Sequence, residues 1–342
     1  RLALGFGLAV LLALAARANP ARLSEGRFYS DGATYYAMTW SLVADRDLEY
    51  QAVDLARIRR EYPDGPGGIF LKRAFGGFTL SGRVEAGAPR IYFGKAMTYP
   101  VLAAPFVALF GSGGFLVFNL LCLITAWACA FVEIRTRATS GVAAFASFAL
   151  IVGTIAPLYV FWIQPELLNL ASVALALLAW RRDRPLLSAL LFGIATYTKP
   201  THILMAAPLG LAPLFDQTRS FGSRLAEIVR RGILMIATAV ALFGVNAFVT
   251  GEWNYQGGER KTFNGPFPFD RTPAGDVTFG NSGEWMTTMK LGPLEQGEQE
   301  SLGSGIAQSP EELSQMFRAN AVDFWVGRYA GMLPYFAPAF LA

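Results

Sequence analysis

The feature that most constrains this chain is a series of apolar blocks with no charged residue inside them. They cover residues 2–16, 115–132, 141–163, 167–180, 186–198, 203–215, 233–249 and 329–342. Apolar residues make up 53% of the chain and charged residues 16%, a balance that belongs to membrane proteins. Several blocks fall short of the ~20 residues that cross a bilayer. Neighbouring Trp, Tyr, Gly and Pro extend them, and helices buried in a bundle can be short. The expected fold is an all-α polytopic membrane protein, with residues 1–342 forming one transmembrane domain. Residue 1 is Arg and the last block is cut short, so the chain reads as part of a longer protein. Ala16-Arg17-Ala18 resembles a signal-cleavage site, but an uncleaved first helix explains the same residues.

Charge sets an expected orientation. Short basic loops attract the cytoplasmic side, and here they hold Arg135 and Arg137; Arg181, Arg182 and Arg184; and Arg219, Arg224, Arg230 and Arg231. The turns at 164–166 and 197–202 then face outward. So do a first outer loop, 17–98, and a second large one, 251–324. The alternation requires that 99–110, with Pro100 and Pro105, be a re-entrant or surface-lying helix. The net charge of +4 forms no stripe suited to nucleic acid. Cys122 and Cys129, seven apart in one block, read as packing residues, because a disulfide within one helix at that spacing is out of geometric reach.

Candidate site residues cluster on the expected outer side. Residues 32–45 carry Ala33, Tyr36, Ala37, Trp40, Val43 and Ala44 at helical spacing, which predicts an amphipathic juxtamembrane helix lying in the interface. Asp31 stands at its N-terminus, as a helix cap, as a general base, or as both. Tyr35 and Tyr36 would sit at headgroup depth. Lys72, Arg73, Arg90 and Lys95 are cations for a lipid phosphate or ordinary surface charges, with Lys95 favoured because an apolar helix follows it. Glu166 is an acid at a span boundary or simply a helix-start residue. Lys199 and His202 lie in the next outward turn. Ser309-Pro310-Glu311-Glu312 reads as a helix start. The sequence lacks a phosphate-binding glycine loop, a dinucleotide fingerprint and a metalloprotease motif. No metal ligands are assigned and no cofactor is called. Carboxylates still leave room for a divalent cation, Mg or Mn.

In these features the chain resembles the GT-C superfamily of integral-membrane glycosyltransferases. The likeness is to its polyprenyl-phosphate-sugar-dependent branch, which includes protein mannosyltransferases and lipid A aminoarabinose transferases. The resemblance rests on Asp31 and the helix after it, on Lys95–Pro100 before a short apolar helix, and on Phe110-Gly111. Gly193–Pro200 adds to it by matching Gly-x-x-x-x-Thr-Lys/Arg-Pro. It covers most of residues 1–250, and the order of the motifs carries it. Protein mannosyltransferases show an Asp-Glu pair where this chain has Asp31-Gly32, which speaks against that particular acceptor class.

The resemblance implies a GT-C-like helix bundle in the bacterial inner membrane, with its site facing the periplasm or exterior. It implies inverting transfer from a polyprenyl-phosphate sugar to a glycan, lipid or protein acceptor. Asp31 would be the base, Glu166 a second acidic group, and Lys95 and Lys199 cations for the donor phosphate. Displacement at an anomeric carbon needs a base for the incoming hydroxyl and positive charge for the departing phosphate. A polytopic transporter or lipid flippase is the alternative, and such proteins tend to show repeats and broken helices.

Overall fold

A computed structural model describes residues 2–23, 30–63, 66–75, 78–79, 82–83, 89–215, 218, 220–255, 259–264, 269–271 and 277–279, with a few more between 314 and 326. The block 329–342, the helix start at Ser309, Arg219 and most of 251–324 lie outside them.

The described chain is mostly helical. Helices α1 (Leu2–Arg17) and α2 (Pro20–Leu23) precede α3 (Ser30–Ala44) and α4 (Ala52–Glu61). Four strands follow: β1 (Gly67–Phe75), β2 (Phe78–Thr79), β3 (Gly82–Arg83) and β4 (Pro89–Phe93). Next come α5 (Thr98–Phe110), α6 (Gly113–Ile134), α7 (Ser140–Ser147), α8 (Glu166–Arg181), α9 (Pro185–Thr198), α10 (Ile203–Leu211) and α11 (Phe221–Thr250). Strands β5 (Glu259–Asn264), β6 (Phe269–Arg271) and β7 (Val277–Phe279) lie beyond them. Helix packs on helix in the order α3, α5, α6, α8, α9, α11, with α1 against α6.

Among the described residues two helices, α6 with 22 residues and α11 with 30, are long and apolar enough to cross a membrane. At 1.5 Å per residue, α6 reaches roughly the ~30 Å of a hydrocarbon core. Helix α5 has only 13 residues and holds Pro105, as short as the sequence suggests.

Three expectations are corrected. The first is the all-α class: β1 pairs antiparallel with β4 and with β5, in the order β4-β1-β5. Leu71 thus stands opposite both Phe93 and Lys261. This sheet ties the first polar segment to the second, a long-range pairing that no local pattern announces.

The second correction concerns α3, which is not a surface helix with one apolar side. Every residue from Ala33 to Thr39, and Ser41, is buried. Strand β1 covers one side, where the Phe70 N–H donates to Thr34 Oγ1 at 2.9 Å, and α5 covers another. The Thr39 hydroxyl satisfies itself on the Tyr35 carbonyl at 2.6 Å, so these polar residues tolerate burial. Tyr36 packs between Tyr62 and Phe115, each at 5.5 Å between ring centroids. Burial of each such ring contributes ~1.5–3 kcal/mol.

The third correction concerns element ends. Block 141–163 is not one helix: α7 passes into a π-helical turn, Phe148–Val152, and a 3-10 segment, Ala156–Phe161. Gly153 follows the π turn, and Pro157 cannot donate a helical hydrogen bond. Asn119 of α6 holds the segment, donating to the carbonyls of Val160 and Trp162 at 3.1 and 2.8 Å. At the other limit, α11 starts at Phe221, so Arg224, Arg230 and Arg231 are helical rather than loop residues. Arg231 is neutralised by Glu227 one turn away and lies over Trp180, 4.2 Å from the ring centroid.

Candidate functional site

Asp31 occupies the first turn of α3. Its partner reaches it from the link between β4 and α5. The Gly94 N–H donates to the Phe70 carbonyl at 2.9 Å, which closes the end of the β1–β4 pairing and turns the chain. Lys95, the next residue, then sets its Nζ 2.6 Å from Asp31 Oδ1 and 4.4 Å from the Phe70 ring centroid. The Lys95 side chain is 10% exposed and that of Asp31 33%, so the pair is accessible mainly from the carboxylate side.

A second lysine–carboxylate pair has the same composition. Lys199 Nζ lies 2.7 Å from Glu166 Oε1, with the side chains 47% and 23% exposed. Glu166 opens α8 after Pro165. Lys199 follows the end of α9, which stops at Thr198 because Pro200 cannot continue it. His202 Nδ1 lies 3.0 Å from the Lys199 carbonyl oxygen.

The segments that carry the two lysines meet. Thr98, at the start of α5 and three residues past Lys95, meets Thr198, beside Lys199. Their hydroxyls are 2.8 Å apart and buried. The Tyr255 hydroxyl donates to the carbonyls of Tyr197 and Thr198 at 3.0 and 3.2 Å, which holds the end of α9 in place. Tyr35 lies between the pairs electrically. Burial first, then the Asp31 carboxylate, with smaller effects from Tyr255 and Glu166, holds its phenol well above the ordinary value. Tyr35 therefore stays protonated and adds no charge.

A cavity of about 230 Å³ opens beside the second pair, lined by Glu166, Asn169, Leu170, Lys199, His202 and Met205, among others. Glu166 Oε2 and both polar atoms of the Asn169 amide are buried there without a hydrogen-bond partner. A separate cavity of about 250 Å³ between α8, α9, α10 and α11 is lined almost wholly by apolar side chains. Its one charged wall residue, Arg231, is already paired with Glu227, so the Glu166 cavity is the better place for chemistry.

Of the residues expected from sequence, Asp31 with Lys95 and Glu166 with Lys199 form ion pairs, and His202 borders the cavity. Tyr36 is 1% exposed and enclosed by rings, which leaves it no surface to offer a phosphate. Tyr35 is buried too and feels the carboxylates of both pairs, Asp31 more strongly than Glu166. Arg73 lies on β1 opposite Ile91, and its side chain is outside the described residues. Lys72 is fully buried, donating to Thr250 Oγ1 at 3.1 Å and the Asn254 carbonyl at 3.3 Å, with Glu252 Oε2 at 3.4 Å. Burial lowers its pKa, opposed by Glu252. It ties β1 to the end of α11. Arg90 is paired with Glu49 at 2.5 Å. Asn169 was missed, although its place one helical turn after Glu166 puts both on one face of α8. The threonine contact was missed because its partners are far apart in sequence. Among the described residues no group of three or more His, Cys, Asp or Glu side chains comes together to hold a metal. No family model, curated protein or solved structure matches this chain.

Proposed function

We propose that the chain is an integral-membrane glycosyltransferase of the GT-C type, moving a sugar from a polyprenyl-phosphate donor to an acceptor hydroxyl. The observation that carries this reading is the pair of lysine–carboxylate couples linked through Thr98 and Thr198. Inverting transfer from a phosphate donor needs one carboxylate as base and cations for the departing phosphate, and this arrangement supplies both, with a second carboxylate to spare. In the resting site Lys95 holds Asp31. A donor phosphate takes over the Lys95 ammonium, which frees Asp31 to accept a proton. The acceptor oxygen then attacks the anomeric carbon, and its proton passes to Asp31. The bond from that carbon to the phosphate oxygen breaks, and its electrons leave on polyprenyl phosphate. Lys95 and Lys199 balance the developing charge. Glu166 orients the sugar or acceptor.

The membrane reading draws on α6 and α11, and on large apolar side chains left open to the surroundings, among them Leu109, Phe145, Leu204, Phe215 and Ile233. In this reading the polytopic bundle sits in a bacterial inner membrane, with the two ion pairs toward the periplasm or exterior and the arginines of α8 and α11 toward the cytoplasm. The acceptor is a glycan, lipid or protein, and nucleic acid is not a partner. Asp31→Asn removes the base while keeping the side chain's shape at a partly exposed position. Sugar transfer from a polyprenyl-phosphate donor should fall by roughly 10²–10⁴-fold; full activity in the variant overturns the assignment.

The break between α7 and the 3-10 segment favours a second reading, a transporter or flippase, because such turns recur at functional sites. Flipping of a labelled lipid in vesicles, without any sugar transfer, would select that reading.

A further inference from the structure

We infer that Asn169 is the residue that reads the hydroxyl groups of a sugar ring in the Glu166 cavity. The inference rests on the glycosyl-transfer reading of that site. Asn169 is 4% exposed and lines the cavity. Neither its Oδ1 nor its Nδ2 has a partner, and Glu166 Oε2 in the same wall has none. Native interiors pair the great majority of such atoms. Three unpaired atoms on one helix face, in residues that line an open volume, mark where the polar atoms of a ligand would find partners.

The atom types select the ligand. Asn169 Nδ2 donates, while Asn169 Oδ1 and Glu166 Oε2 accept. A phosphate only accepts, so it would meet two like-charged or electron-rich oxygens here, and it belongs on the lysines instead. An apolar ligand would leave all three atoms unpaired. Hydroxyls on neighbouring ring carbons both donate and accept, and they satisfy the whole set. Leu170 and Val173 of α8 and Met205 of α10 line the rest of the cavity and offer an apolar flank to the C–H edge of such a ring.

The ring could arrive on the donor lipid or as part of a free acceptor glycan, and binding separates the two. The full chain in detergent is titrated with undecaprenyl phosphate, with undecaprenyl phosphate bearing mannose or arabinose, and with the free methyl glycosides. Asn169→Leu keeps the shape and removes the polar atoms. A donor site predicts that the wild type prefers a sugar-bearing lipid over the bare lipid by roughly tenfold. Asn169→Leu then erases that preference without changing affinity for bare undecaprenyl phosphate. Glycoside binding that Asn169→Leu abolishes supports the same residue role and assigns the acceptor as the source. Because the amide is unpaired in the free protein, Asn169→Leu should also hold or raise Tm. A preference that survives Asn169→Leu, or a Tm that falls, overturns the inference while lipid binding leaves the transferase reading standing. Binding of none of the probes to the wild type overturns both.

Discussion

Single residues divide into those whose role can be read locally and those whose role depends on neighbours. Asp31 and Lys95 were legible as site candidates because each is a lone charge beside apolar sequence. Tyr36 reads as a candidate too, and the fold encloses it: the spacing that marks one face of a helix cannot say whether β1, α5 or solvent covers the others. Asp54 shows the same dependence energetically. Its carboxyl accepts from the Gln51 N–H at 2.8 Å and pairs with Arg57 at 2.7 Å. Burial outweighs both and pushes its pKa from 3.8 up to about 7. The folded state therefore binds more protons between those values than the unfolded chain does. Stability from this group is full below pH 3.8 and is lost as pH rises through about 7. Melting followed across pH 5 to 8 should show Tm falling with pH, and Asp54→Asn should flatten that slope. Equal slopes in the two proteins would rule out Asp54 as the source.

At the scale of elements, charge-free blocks predicted α1, α6, α8 and α9 to within two residues and the start of α10, because apolar composition and proline placement act locally. The misses occur where a helix is interrupted or extended. The break after α7 needs Gly153 and Pro157 together with the Asn119 side chain that receives the 3-10 segment. The early start of α11 needs a Glu227–Arg231 pair that lets charged residues continue a helix. Gly193, part of the Gly-x-x-x-x-Thr-Lys-Pro segment, has its own structural reason. A Cβ there would lie 2.6 Å from Thr238 Cβ and 2.7 Å from the Met235 carbonyl oxygen, where α9 crosses α11. Gly193→Leu should destabilise the fold by about 1–3 kcal/mol through overpacking, read as a lower Tm. Thr238→Ala in the same background should recover only part of the loss, since the Met235 backbone cannot withdraw. An unchanged Tm would mean that the two helices are free to separate.

For the whole molecule, the ends of the bundle differ in chemistry. One end carries both lysine–carboxylate pairs and the sheet; α8 and α11 bring Arg181, Arg230 and Arg231 elsewhere, with Arg182 just past the end of α8. The proposed orientation makes the first end external. Single cysteines at Ser140 and Thr201, both exposed, can be probed in intact cells with an impermeant thiol reagent against the background of buried Cys122 and Cys129. Thr201→Cys should label and Ser140→Cys should not; the reverse pattern would invert the orientation. Composition and short-range spacing are enough to make the chain mostly helical, to place its apolar helices, and to set isolated charges beside them. That β1 joins β4 and β5, that Tyr36 is enclosed, and that Thr98 meets Thr198 between the segments of two ion pairs emerges with the folded chain alone. Those outcomes depend on contacts between residues far apart in the chain, whose geometry no local pattern encodes.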